Sequence, residues 1–252
     1  MEFVRLPARA ALAAAALCAA FPVSSWASFA EGEEAYLKQD FYGAFLKFVP
    51  LSKQGDAGAQ AMIGRIYAQG NGAPLDSRTA AISYEKAATQ GHAAAQYQLA
   101  KMYAVGAGVK QDAARAAEWM EKSAEQGVLW AMFEMGKMHK DGVGAAQSNV
   151  QALKWMSLAA ASVETPATAE TIGLAKSAKA ELEKTMPAPQ IEESQKLVTQ
   201  WNRAKRVRDT QWQKAIYAPL EVRAPVPRSA EARDSKGEPA TPMTKDFFPQ
   251  AR

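Results

Sequence analysis

The chain is predicted to be all-α, an α-solenoid of stacked helix hairpins closed by C-terminal capping helices and followed by a disordered tail. Three observations predict it. Gly55, Gly91 and Gly127 are 36 residues apart, as are Asp40, Asp76 and Asp112, and the pairs Gly70/Gly72, Gly106/Gly108 and Gly142/Gly144. A period in this range marks supersecondary units that bury their apolar faces against one another. Within each unit the apolar residues recur at helical spacing. Glycine and Asp or Ser then stand where helices end and begin.

The N-terminal stretch precedes the repeats. Arg5 and Arg9 make a basic start, mostly apolar residues run from Ala10 to Phe21, and Ser25-Trp26-Ala27 supplies small residues at a cleavage position. Residues 1–27 are therefore expected to be a cleaved secretory signal peptide, with cleavage after Ala27. An apolar run of about a dozen residues is too short for a helix spanning a bilayer of about 30 Å. No integral membrane span is expected after cleavage. Cys18 is the only cysteine, and Leu17 before it does not suit a lipid-attachment site. The mature chain carries no thiol, so its core and not disulfides must hold it together.

The solenoid is assigned to residues 28–162. A partial opening unit covers 31–54, with a first helix around Glu33 to Lys38, and three repeats cover 55–90, 91–126 and 127–162. In the first helix of each repeat, Ala59, Ile63, Ile66 and Tyr67 return as Ala95, Leu99, Met102 and Tyr103, then as Ala131, Met135, Met138 and His139. That i, i+4, i+7, i+8 stripe requires helical pitch. Gly64, Ala100 and Gly136 are small where a neighbouring helix must come close, and the Gly-x-Gly pairs end the helix. Asp76, Asp112 and Ser148 are placed as N-caps of the second helices. The second helices present Ala80, Ala81, Tyr84, Ala87 and Ala88, then Ala116, Ala117, Trp119, Met120 and Ala124, then Ala152, Leu153, Trp155, Met156 and Ala159. Trp119 and Trp155 share one slot and are expected in the core.

Residues 163–217 are read as capping helices. One opens at Thr165-Pro166 and carries Ile172, Ala175 and Leu182. Pro187 and Pro189 break it, and another begins near Ile191 with Leu197, Val198 and Trp201. Prolines and interspersed charges from 218 to 252 describe the disordered tail.

The segments "AAEWMEKSAEQG" and "AQYQLAKMYAVGAGVKQD" resemble the Sel-one-like repeat (SLR), a relative of the tetratricopeptide repeat. The likeness covers about Asp40 to Ser162 and is fullest in the middle unit. Ser83 replaces the repeat tryptophan in the first unit. His139 replaces the repeat tyrosine in the third, which also lacks the closing Gln-Gly. The resemblance implies a TPR-like superhelix whose first helices line a concave groove, and a scaffold, adaptor or regulator that binds another protein.

Composition narrows the function further. The chain has 252 residues, 48% of them hydrophobic, and a formal charge of +4 spread without long basic blocks. This does not call for nucleic acid. The glycine pairs follow helices at a fixed period, so they are helix ends and not a nucleotide loop. No cofactor, metal site or catalytic residue is assigned. Only His92 and His139 are imidazoles. His92 takes a slot that Asp56 and Val128 also occupy, and His139 is expected to pack with its polar tip at the groove edge. The chain is not expected to be an enzyme.

The candidate site is a surface. Helical pitch places Arg65, Lys101 and Lys137 one per repeat on the face opposite the apolar stripe, flanked by Tyr97, Trp130 and Phe133. Cations with apolar walls suit an extended peptide with acidic groups or a free carboxylate. Together with the signal peptide, the SLR resemblance implies that the partner is another envelope protein or peptide, met in a bacterial periplasm. Two alternatives remain open: a cell-wall or β-lactam-binding or hydrolysing enzyme, which the SLR resemblance implies, and a polysaccharide-binding module stacking sugars on the aromatics. Phe247 and Phe248 in the tail form a competing linear motif.

Overall fold

The computed structural model describes residues 23–207, all of them in helices or the turns between helices. The helices are α1 (Val23–Leu37), α2 (Phe41–Lys53), α3 (Ala57–Gln69), α4 (Ser77–Thr89), α5 (Ala93–Val105), α6 (Ala113–Glu125), α7 (Leu129–Asp141), α8 (Asn149–Ala160), α9 (Ala169–Thr185) and α10 (Ala188–Val207). Of the expected leader, only residues 23–27 are described, and they are helical; residues 1–22 and the expected tail 218–252 lie outside the described residues.

Each helix packs on the next in sequence from α1 to α9. That is the connectivity of a solenoid in which every hairpin touches only its neighbours. Three consecutive clusters form the core: one around Phe48 and Ile66, one around Tyr84 and Leu99, and a larger one from Met120 through Trp155 to Trp201. The period is built into the helix ends. Asp76, Asp112 and Ser148 cap α4, α6 and α8 through side-chain oxygens that accept N–H groups of the first turn. These bonds satisfy donors that otherwise have no partner.

The two glycines of each Gly-x-Gly have different tasks. Gly106 ends α5 in the left-handed conformation at φ 75°, its N–H donating to the Met102 carbonyl. Gly108, also at positive φ, lies against the first turn of the preceding hairpin's α4, where a Cβ would overlap the Ser77 carbonyl oxygen. Gly72 meets Phe41 and Gly144 meets Ala113 in the same way, again 36 residues apart. The second glycine thus sets the spacing between hairpins.

A glutamine relay explains the repeated Gln-Gly. Gln126 at the end of α6 donates to Gln96 Oε1 at 2.7 Å, and the buried Gln96 donates in turn to the Ala88 carbonyl of α4 at 3.1 Å. Gln90 donates to Gln60 Oε1 at 2.7 Å one hairpin earlier. In the third repeat Met132 stands in the Gln96 slot and Ser162 in the Gln126 slot. Both members of the pair are therefore missing together. A glutamine alone in the Gln96 slot would keep its bond to the preceding helix but leave its buried Oε1 without a donor.

Four expectations are corrected. Helix α1 begins at Val23, well before Glu33, so the opening unit is a full hairpin; Phe29 extends it, its ring 5.3 Å from that of Phe48. Helix α9 begins at Ala169 and not at Thr165-Pro166. The buried Thr168 hydroxyl accepts the Thr165 N–H at 2.7 Å and donates to the Val163 carbonyl at 3.1 Å, which ties residues 165–167 into a turn. Helix α10 begins at Ala188 and not near Ile191, because Pro189 falls in its first turn, where a missing N–H is harmless.

The fourth concerns Trp119, which is half-buried while Trp155 is fully buried. Both α9 and α10 pack on α8, whereas α6 has only α5 and α7 as substantial neighbours. The capping helices thus enclose Trp155 and leave Trp119 at the edge, under the Lys122 ammonium at 4.1 Å.

Candidate functional site

The first helices α3, α5 and α7 present the six candidate residues, because their opposite stripe is committed to the core. Five of the six gather at the C-terminal half of this face. Tyr97 of α5 and Trp130 of α7 meet with ring centroids 6.5 Å apart, and both pack half-buried against the large core cluster, as does Phe133. Lys101 Nζ lies 5.5 Å from the Tyr97 ring centroid and Lys137 Nζ 5.7 Å from that of Phe133. Burial, with Glu134 adding to it, pushes the Tyr97 hydroxyl up to about 12. It is a neutral donor at any physiological pH.

Arg65 stands apart on α3. Its guanidinium lies 4.9 Å over the ring of Tyr36, whose hydroxyl donates to Gln69 Oε1 at 2.6 Å. The three cations are thus each seated on an aromatic ring, which orients the charge at the surface of the helix.

Several residues of this face escape a reading of the slots alone. Glu134 pairs with Lys137 at 3.0 Å, so the ladder's last cation already has a counter-ion. Its i, i+3 spacing was the signal. Tyr36 was hidden by the displaced start of the opening unit. Glu33, Phe29, Ala61, Arg65, Tyr84, His92 and Ala94 are among the residues lining a recess of about 240 Å³ between α1, α3 and α5.

Both histidines have structural tasks. His92 is the N-cap of α5, its Nδ1 accepting the Ala95 N–H at 3.2 Å. Asp56 and Val128 occupy the same cap position on α3 and α7, which is why that slot accepts different residues. His139 Nδ1 lies 3.0 Å from the Ala146 carbonyl oxygen of its own loop. Among the described residues, no group of three or more His, Cys, Asp or Glu comes together to hold a metal, and no helix is long and apolar enough to cross a membrane.

The His92 cap predicts a pH dependence. Burial lowers its pKa below the ordinary 6.5, opposed by its backbone hydrogen bond and by Asp56, and the capping nitrogen must stay unprotonated. The unfolded chain takes up a proton near pH 6.5 that the folded chain refuses. The stability present above that pH is therefore lost as pH falls from about 6.5 toward the lowered folded value. His92→Asp, which installs the cap used at Asp56, is expected to flatten the fall in Tm between pH 7.5 and 5. Parallel Tm profiles for the two proteins would refute the cap's role.

An array of helical hairpins carrying one face of ring-seated cations and half-buried aromatics is a solenoid scaffold for binding other molecules. Residues 57–92, 93–128 and 131–162 match the Sel1 repeat family model, and this part of the chain is a run of three Sel1 repeats. Sel1 repeats generally mediate protein–protein interaction, and their fold is typically a non-catalytic scaffold.

Two solved structures share the architecture. A Sel1 repeat protein from Oxalobacter formigenes is 32% identical, with a TM-score of 0.51 over 53% of this chain and 53% of that one. A protective antigen of uropathogenic Escherichia coli strains, displaying an SLR fold, is 26% identical, with a TM-score of 0.57 over 77% of this chain and 42% of that one. The match therefore spans about half the length of these two proteins or less. No curated protein matches the chain.

Proposed function

We propose that this chain is an exported, periplasmic scaffold or adaptor that holds an extended segment of another envelope protein along the face of α3, α5 and α7. The single observation that carries this reading is the cluster of Tyr97 and Trp130 with Lys101 over the Tyr97 ring. Half-buried aromatics beside an exposed ammonium combine an apolar anchor with a charge for an acidic group or a free carboxylate. The basic, apolar and small-residue order of residues 1–27 supports export.

In-cell crosslinking from a photoreactive residue at Ala104, exposed on this face of α5, identifies the partner. A variant with Arg65, Lys101 and Lys137 all changed to Ala is then expected to lose that crosslink while keeping its helicity. Lys101 and Lys137 are exposed, and such charges each contribute only about 0–1 kcal/mol to folding, while the half-buried Arg65 also gives up its contact with the Tyr36 ring. Truncation after Tyr217 removes Phe247 and Phe248. Loss of the crosslink on truncation alone transfers binding to the tail and overturns the reading.

A further inference from the structure

We propose that the recess between α1, α3 and α5 is an anchor subsite for a lysine or arginine side chain of the bound segment, with Glu33 as its counter-ion. This rests on the groove reading above and deepens it.

The recess follows from residue choice at the groove slots. Aligned on their C-terminal ends, the first helices place Phe29, Ala61, Tyr97 and Phe133 in one slot, and Gly58, Ala94 and Trp130 in the slot that faces the preceding helix. A close approach in the first two hairpins supports this register: Gly32 lies against Phe48, and Gly64, 32 residues later, lies against Tyr84. At the first step along the face, Gly58 makes room for the Phe29 ring, which a Cβ would meet at 2.9 Å. At the third step Trp130 lies beside Tyr97, large against large. At the middle step Ala94 faces Ala61, small against small, and the space stays open. Its volume of about 240 Å³ is below the roughly 300–1,000 Å³ of small-molecule pockets. That size suits a single long side chain.

The same alignment puts Glu33 in the slot of Arg65, Lys101 and Lys137. The charge of the ladder therefore reverses at this end. Glu33 is half-buried and makes no ion pair or side-chain hydrogen bond among the described residues, and burial alone pushes its carboxyl up. Arg65 lines the recess but is drawn over Tyr36 at 4.9 Å, and His92 is held neutral by burial. A desolvated carboxylate beside apolar walls from Phe29, Met62 and Tyr84 matches a side chain with an apolar stem and a cationic head. The matching segment is dipolar, with a basic anchor near α1 and acidic groups toward Lys101.

The test is an NMR titration of the full chain with three probes: N-acetyl-lysine methylamide, its norleucine analogue and its glutamate analogue. The Ala61 and Ala94 amides report on the recess. The lysine probe is expected to bind at least tenfold more tightly than norleucine, and Glu33→Gln is expected to bring the two together. Ala94→Trp, which repeats the residue found at Trp130, is expected to fill the recess and abolish the shifts without lowering Tm. Equal binding of lysine and norleucine, or a lysine preference that survives Glu33→Gln, overturns the proposal. So does tightest binding of the glutamate probe, which makes Arg65 the recognition group. If the lysine probe fails while the triple charge variant still loses its crosslinked partner, the recess assignment falls and the groove reading stands. If the triple variant keeps its partner while the lysine probe binds as expected, the groove reading falls and the recess assignment stands.

Discussion

Trp155→Ala is expected to lower the free energy of unfolding by about 4 kcal/mol, the middle of the range for emptying a large buried aromatic site. The indole has no exposed surface and lies in the cluster that joins the last repeat to the capping residues Ile172, Leu182 and Trp201. Lys154 covers it with Nζ 3.8 Å from the ring centroid and ties back to Glu125 of α6 at 3.3 Å. Trp119→Ala, in the same repeat slot, is expected to cost only about 2 kcal/mol, because roughly half of the transfer term is involved and the site opens to water. Denaturant unfolding of both variants measures the difference. Equal losses would show that the capping helices do not enclose Trp155 as described.

Gly108→Ala is expected to destabilise by about 3–4 kcal/mol, and Gly91→Ala by only about 1–2 kcal/mol. Both glycines have positive φ, at 71° and 89°, so both substitutions incur the left-handed strain of an L-residue. They differ in their surroundings. A Cβ on Gly91 meets nothing within 4 Å, whereas one on Gly108 overlaps the Ser77 carbonyl and forces α4 away from the next hairpin. Thermal unfolding separates the two terms. Similar Tm losses for both variants would mean that the second glycine of the pair sets no spacing between hairpins.

The repeat architecture was legible in the chain because a solenoid uses the same few contacts in every hairpin. The caps at Asp76, Asp112 and Ser148, the stripe through Leu99 and the paired glycines all recur at one spacing, so subtraction alone reveals them. The candidate groove residues were legible for the same reason, since a helix whose apolar stripe is known has only one face left. The missing Gln in the third repeat was also visible, but its cause was not. Met132 lies 30 residues from Ser162, and only the hydrogen bonds Gln60–Gln90 and Gln96–Gln126 show that the two slots touch.

Tertiary structure alone decided the N-terminal end of the groove and the burial of the tryptophans. The turn between α1 and α2, residues 38–40, is four residues shorter than the loop 70–76 between α3 and α4. Counting back 36 from Arg65 therefore reaches Phe29, and the acid that shares its place, Glu33, is out of phase. A period records what each hairpin repeats, and a shortened turn shifts one helix against it without changing how the helices pack. Trp119 and Trp155 are likewise identical by slot and differ only because α10 folds back on α8. Burial depends on which helices come to lie alongside, and no repeat unit encodes its own neighbours.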